Sequence, residues 1–341
     1  MQVSDFDYVL PAELIANTPP EVRGTSRLLV VHRSNEKLED AKYGDIVNYL
    51  NAGDVLVLND TRVIKARLKV TKVNGASREL IVLERHSADT DWHKHKVMYR
   101  RKLTVGDKLT IGDAEIIVEE IVGQGIAVVS SSHDLLQLAE KYGSVPLPPY
   151  MHRDANDIDI ERYQTVWAEQ QGSVAAPTAS LNMTDEILDR LRAKGVIIKT
   201  ITLHVGLGTF LPIRVDELDK HTMHQEYFKI PKSTVEAIQH VKQNGNKVIA
   251  LGTTVARTLE YAAEQLQQPA MDLKGEADIF IYPGYKFKTV DGLLTNYHAP
   301  KSTVLMLTAA FAGWPLLAQA YAHAISERYQ FLSYGDSMII L

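Results

Sequence analysis

Apolar and polar positions change their spacing partway along this chain. Val55-Leu56-Val57-Leu58 is a short continuous apolar run ending at Asn59-Asp60, the pattern of a buried strand. Positions 63–70 alternate in part, Asn74-Gly75 predicts a hairpin turn, and 79–83 predict the next strand. Val105-Gly106-Asp107 and Ile111-Gly112-Asp113 read as turns, and 115–118 and 126–129 as strands around Gly123-Gln124-Gly125. Short strands at this spacing predict a small barrel or sandwich. A helix is expected over 133–142, with Ser132 as its N-cap and Gly143 beyond its end.

Ser144-Val145-Pro146-Leu147-Pro148-Pro149-Tyr150 can continue neither a helix nor a central strand, so it reads as a linker. After it, helices and strands alternate. Thr184 caps a helix stopped by Gly195, and 196–205 read as a strand. Ser233-Thr234-Val235-Glu236 has the form of a capping box, and that helix stops at Asn244-Gly245. A strand at 247–251 leads through Gly252-Thr253-Thr254 into a further helix, and 279–282 read as a strand ending at Pro283-Gly284. This alternation predicts a layered α/β part.

From 302 to 326 there is no Lys, Arg, Asp or Glu. A membrane span needs roughly 20 apolar residues, but Gly313-Trp314-Pro315 interrupts the run. Two buried helices, at 303–312 and 315–328, are expected instead. The start, Met1-Gln2-Val3-Ser4-Asp5, lacks the basic and apolar regions of a signal peptide, and a cytoplasmic protein is expected.

Composition narrows the chemistry. With 45% apolar and 23% charged residues in 341, the chain is neither disordered nor collagen-like, and about two domains are expected. The absence of Cys excludes a thiol nucleophile and Cys-held zinc or iron–sulfur sites, so proton transfers fall to His and carboxylates. The net charge of −5 argues against nucleic acid only until its distribution is read. Residues 60–110 hold 13 Lys and Arg against 6 Asp and Glu, so this stretch is +7 and the remainder −12. A basic stripe can bind a polyanion whatever the total, although a solvated mixed-charge surface has the same composition.

Candidate chemistry sits at several strand and helix ends. Gly252-Thr253-Thr254 offers free backbone N–H groups at a helix N-terminus, but lacks the glycine pattern of a P-loop or dinucleotide motif. His204, followed by Gly206 and Gly208, lies at a strand end where a backbone can approach a ligand. His224 and Glu226 share a face if extended, yet supply only two of the three or four ligands a metal needs, so no metal site is expected. Lys301 stands beside the helix cap Ser302, where a carboxylate or phosphate could be met. Ala175, Ala176, Ala179 and Ser180 could line a pocket for a flat base or merely pack a helix start. Asp336, before the apolar terminus, could point into a cleft or sit in a solvated turn.

The strings themselves go further. Asn59-Asp60-Thr61-Arg62-Val63, Pro146-Leu147-Pro148-Pro149-Tyr150, Glu161-Arg162-Tyr163-Gln164-Thr165-Val166 and Gly172-Ser173-Val174-Ala175-Ala176-Pro177-Thr178-Ala179 occur in order. So do Thr202-Leu203-His204-Val205-Gly206-Leu207-Gly208-Thr209-Phe210, His221-Thr222-Met223-His224-Gln225-Glu226 and Gly252-Thr253-Thr254. Tyr282-Pro283-Gly284-Tyr285, Thr295-Asn296-Tyr297-His298-Ala299-Pro300-Lys301-Ser302-Thr303 and Ser333-Tyr334-Gly335-Asp336 complete the series. In these motifs the chain resembles the S-adenosylmethionine:tRNA ribosyltransferase-isomerases of queuosine biosynthesis, from Phe6 to Leu341.

The resemblance implies an α+β multi-domain fold: a layered α/β catalytic domain (1–60 plus 146–341) with an inserted small antiparallel β-barrel (61–145). It implies transfer and isomerisation of the ribosyl part of S-adenosylmethionine onto 7-aminomethyl-7-deazaguanine at the tRNA wobble position. Epoxyqueuosine forms, and adenine and methionine leave. S-adenosylmethionine is then a substrate, with no cofactor, no metal and no membrane, and a monomer is expected. His204, His224, Glu226, His298 and Asp336 would share the proton transfers. Gly206, Gly208, Gly252, Thr253, Thr254, Lys301 and Asn182 would bind substrate, and Arg62, Arg67, Arg100, Arg101 and Lys102 would meet tRNA phosphates. One departure stands out. Where the family continues Gly-Leu-His-Phe-Thr, this chain has Ser180-Leu181-Asn182-Met183-Thr184, and Asn transfers no proton near pH 7. A tRNA-binding member with reduced or lost catalysis is therefore the alternative.

Overall fold

The computed structural model describes residues 1–206, 208, 213 and 215–341. Leu207, Thr209 and Phe210 of the glycine-containing motif lie outside the described residues. The chain opens with a 3₁₀ turn at Val3–Phe6, then β1 (Arg27–His32), β2 (Lys37–Lys42), α1 (Ile46–Tyr49), β3 (Val55–Asn59) and β4 (Thr61–Val63). Six strands follow: β5 (Arg67–Lys72), β6 (Ser77–Val82), β7 (Lys94–Arg100), β8 (Lys108–Ile111), β9 (Ala114–Gly123) and β10 (Ile126–Ser131). Next come α2 (Leu135–Tyr142), α3 (Asp157–Arg162), β11 (Gln170–Ser173), α4 (Asp185–Ala193), β12 (Ile197–Leu203) and β13 (Glu226–Ile230). The remainder is α5 (Lys232–Gln243), β14 (Val248–Leu251), α6 (Thr253–Tyr261), β15 (Leu273–Ala277), β16 (Gly292–Asn296), α7 (Thr303–Ala312), α8 (Trp314–Ser326) and β17 (Ser337–Ile340).

One large mixed sheet runs in the order β15-β13-β12-β3-β14-β16-β17-β1-β2. Strand β3 is parallel to both β12 and β14, and β14 is parallel to β16. All five residues of β3 are buried, as a strand covered on both faces must be. Its side chains alternate between two cores. Val55 and Val57 join the cluster that includes α5, α6, α7 and α8, while Leu56 and Leu58 join the cluster under α1 and α4.

The second body is a closed antiparallel barrel, β10-β7-β6-β5-β8-β9. Alternate residues such as Leu68, Leu80, Val97, Ile116 and Val129 fill it. Closure removes the exposed edges of so small a sheet. The turns fall at the expected glycines: Gly75 lies between β5 and β6 and has φ 82°.

Several local expectations need correction. Helix α2 is capped by Asp134 and not by Ser132, because the Asp134 carboxylate accepts from the N–H groups of Leu136 and Gln137. The Ser233–Glu236 pattern is no cap: α5 already begins at Lys232 after Pro231. Positions 279–282 form no strand. Leu273–Ala277 takes the place beside β13, since its alternating burial offers that edge a ladder. The Pro-rich stretch is no exposed linker, for Val145 and Leu147 are buried against Tyr163 and Tyr334. Helices α7 and α8 occur as expected and bend by 112° at their break. No single described helix is long and apolar enough to cross a membrane.

Leu56 sits at the centre of the sheet with no exposed surface. Leu56→Ala is expected to cost about 2–5 kcal/mol by loss of burial and creation of a cavity. Urea unfolding measures it, and the same change at exposed Val73 is expected to shift stability by less than about 0.5 kcal/mol.

Candidate active site

A cavity of about 510 Å³ opens at the carboxyl ends of β14 and β16. Open parallel sheets place ligands there, because the loops leaving the strands diverge and the helices begin with free N–H groups. The loop after β14 supplies Gly252, Thr253 and Thr254, and the loop after β16 supplies His298, Lys301 and Ser302. Ala175, Ala176 and Ala179 form a wall of small side chains, while Ser180 is buried without lining it. Tyr150 and Ser333 close another side, hydrogen-bonded to each other. Gly252 needs its positive φ of 97° to turn the chain from β14 into α6.

His298 is the one expected catalytic side chain that lines this cavity. Its Nε2 lies 2.9 Å from Thr295 Oγ1, its backbone N–H donates to Tyr321 Oη at 2.9 Å, and its carbonyl accepts from Tyr8. The ring is therefore held in one orientation. Burial pushes its pKa down to about 3, so the imidazole is neutral near pH 7. Three buried side-chain atoms of lining residues, Asn296 Oδ1, Thr254 Oγ1 and Tyr297 Oη, have no hydrogen-bond partner among the described residues.

Behind Thr253 and Thr254 lies a second constellation. Glu226, 1% exposed, is ion-paired with Arg257, accepts from Gly206 N–H at 2.8 Å, and lies 3.2 Å from His224 Nε2. Burial opposes its ionisation, but Arg257, His224 and Gly206 together bring the carboxyl down to about 2. Thr253, Thr254, Glu226 and Arg257 line one small cleft, and the two threonines also border the main cavity. Glu226 thus adjoins the cavity through α6 without lining it. Among the described residues no three His, Asp or Glu converge as metal ligands.

His204 is placed elsewhere. Only 2% exposed, it lies 2.8 Å from Thr61 Oγ1 and stacks on Tyr227. Burial first, and the Arg85 charge second, push its pKa down to about 3.

The other candidates below lie outside the residues that line this cavity. Asp336 does not line the cavity, for its two carboxylate oxygens accept the backbone N–H groups of Arg27 and Gln330. Asn182 accepts from Ser26 Oγ and donates to Gly335 O and Ser337 Oγ, so its amide is engaged by the protein at a buried position outside the cavity. Gly206 and Gly208 are required by protein packing, because an added Cβ would meet the Glu84 carboxyl and the His224 ring, each at about 2.5 Å. Arg67 is largely covered and lies within 3.7 Å of Glu79 and Asp154, leaving little of it for an outside phosphate.

Arg62, Arg100, Arg101 and Lys102 are exposed. The barrel is also electrically two-sided. Strands β5–β7 carry seven Lys and Arg against Glu79 alone, whereas β8–β10 carry Lys108 against Glu115, Glu119 and Glu120. Lys69 of the basic side reaches Asp154, three residues beyond the turn Pro149–Met151 that borders the cavity.

Arg257, Thr295 and Asn296 escaped selection from sequence. The signal for Asn296 was a polar residue ending an apolar strand, and for Arg257 a lone charge four residues after Thr253 on a buried helix face.

Fold and cavity define an α/β enzyme carrying a basic barrel. More particularly, the chain belongs to the family described as "Queuosine biosynthesis protein", whose profile matches residues 3–340. It is 55% identical to an S-adenosylmethionine:tRNA ribosyltransferase-isomerase of Pelodictyon phaeoclathratiforme over 344 residues, covering 100% of both chains. It is 44% identical to one of Francisella tularensis over 342 residues, with 100% of this chain and 99% of the relative covered. A crystal structure of an S-adenosylmethionine tRNA ribosyltransferase from Thermotoga maritima matches with a TM-score of 0.58 at 34% identity, over 99% of this chain and 100% of that one. The family expected from the motifs is the family found. The alternative of lost catalysis is not favoured, since Asn182 lies outside the cavity.

Glu226→Gln leaves the Arg257 charge buried without its counter-ion. A loss of about 3–5 kcal/mol in urea unfolding is expected.

The depressed histidines also set a pH dependence. His204 and His298 bind a proton in the unfolded chain below about 6.5 but in the folded chain only near 3. The unfolded state thus holds more protons across that window, and stability falls as pH falls from 6.5. The urea midpoint is expected to drop between pH 7 and 5.5, and His204→Asn to make that slope shallower.

Proposed function

We propose that the chain is an S-adenosylmethionine:tRNA ribosyltransferase-isomerase acting on 7-aminomethyl-7-deazaguanine at the tRNA wobble position. The observation that carries this reading is full-length similarity to proteins of that name, combined with a cavity at the strand ends into which His298 is placed beside Thr295. A volume of about 510 Å³ falls within the usual range for small-molecule sites.

In this reaction the sulfonium acidifies the ribose carbon bonded to it. His298, fixed by Thr295, takes that proton. The neutral aminomethyl group attacks the anomeric carbon, and the electrons of the glycosidic bond leave with adenine, which is protonated. The carbanion beside sulfur then bonds the anomeric carbon as that carbon's bond to the ring oxygen breaks, and the freed oxygen attacks the carbon bearing sulfur, closing the epoxide and expelling methionine. Glu226, paired with Arg257 and His224, positions the start of α6 beside this centre, and His204 lies outside it. S-adenosylmethionine is consumed as a substrate, and the monomer works in the cytoplasm without metal.

The tRNA lies along β5–β7, where Lys69, Lys96 and Arg100, with Arg101 and Lys102 just beyond, oppose its phosphates. The wobble base enters beside Tyr150.

The test is incubation with S-adenosylmethionine and tRNA carrying the aminomethyl-deazaguanine. Adenine and methionine are expected in equal amounts with epoxyqueuosine, and no adenine release would sink the reading. His298→Ala is expected to lower kcat by roughly 10²–10⁴-fold.

A further inference from the structure

Among the described residues that line the main cavity, Lys301 alone carries a formal charge near pH 7, since His298 is neutral. Its placement is specific. Lys301 adopts φ 57°, a left-handed conformation uncommon for a side chain of this size. The backbone is held there by its N–H donating to Phe6 O at 3.1 Å. That bond brings Asp7 alongside, and Lys301 Nζ lies 2.6 Å from Asp7 Oδ2. Each of the two side chains is about half exposed, 48% for Lys301 and 47% for Asp7, so both can be reached from outside the protein. The cavity-lining Lys301 ammonium thus stands beside a carboxylate, Asp7, brought to it from the N-terminal segment.

We propose that Asp7 and Lys301 are a paired clamp for a zwitterionic α-amino acid. Lys301 takes the α-carboxylate of the methionine part of S-adenosylmethionine, and Asp7 takes its α-ammonium. This rests on the reading above and adds to it a determinant for which end of the substrate sits at the rim. The pair favours an amino acid over a lone phosphate, because Asp7 repels a dianion that Lys301 alone would attract. In the free protein each residue neutralises the other. The incoming amino-acid end, itself zwitterionic, exchanges one ion pair for two. An exposed ion pair of this kind is worth little by itself, so giving it up is no barrier to binding. Anchoring the methionine end fixes the sulfonium and directs the ribose inward, toward His298.

The test is equilibrium binding by calorimetry, with three probes on the full-length protein: S-adenosylmethionine, its decarboxylated analogue and its deaminated analogue. The wild type is expected to bind each analogue roughly 2–5-fold more weakly, the usual effect of losing one half-exposed ion pair. Lys301→Met is expected to bind S-adenosylmethionine weakly and to lose discrimination against the decarboxylated analogue only. Asp7→Asn is expected to lose discrimination against the deaminated analogue only. Lys301→Arg is expected to retain both. Should Lys301→Met or Asp7→Asn discriminate as the wild type does, the clamp is overturned while the enzymatic reading stands. Should the wild type bind no S-adenosylmethionine with or without tRNA, the reading itself falls and the clamp with it. Thermal unfolding of each variant, expected within a few degrees of wild type, separates lost recognition from lost folding.

Discussion

The carboxylate of Glu226 is buried in an apolar sheet, and the architecture around the cavity follows from its need for partners. Removing an ion from water costs several kcal/mol, which only close opposite charge and directed hydrogen bonds offset. Arg257 from α6, the N–H of Gly206 and His224 supply them. Their convergence ties β13, the end of β12 and the first turns of α6 together. Because α6 begins with Thr253 and Thr254, the same tie sets the floor of the cavity. A buried pair gives little net stability relative to an apolar replacement, so its value here lies in geometry.

A second tie completes the site from the other side. Asp159 holds Arg153 through both carboxylate oxygens and accepts from Tyr334 Oη, while Tyr150 and Ser333 bond to each other. The chain leaving the barrel is thereby fastened to the C-terminal turn, and the seam between them forms a cavity wall. It also carries the basic side of the barrel up to the rim through Asp154. A negative protein can present a positive face to RNA because the Debye length, about 8 Å at physiological salt, lets local charge prevail over the total.

Much of this was legible in the chain. Val55–Asn59 had to be a buried strand because continuous apolar runs are stable only with both faces covered. The glycine turns of the barrel, the cap at Thr184 and the break at Gly313 were visible because each reflects local backbone preference. The lysine-rich β7, with alternating Lys94, Lys96 and Arg100, gave no apolar signal, since its outer face meets water. Strand β15 was overlooked and 279–282 overrated for the same reason: hydrophobicity marks burial, whereas strand status depends on a neighbour with free ladder groups. The wall of small residues at 175–179 could be read as core or pocket, and only their position at the strand ends decides.

By itself the sequence determined the family, the two-part build, the residue types available for proton transfer and the segregation of charge into one stretch. These are properties of order and composition, fixed before folding. Tertiary structure alone decided which of the candidates meet. Asp336 and Asn182, polar and near family motifs, are spent on backbone groups that would otherwise be buried unpaired. His298 and Lys301 reach the cavity, while His204 and Glu226 are enclosed away from it. A side chain's polarity is written in the sequence. Whether that polarity is used by the protein or left for a ligand depends on which atoms, hundreds of residues apart, the fold brings within hydrogen-bond reach.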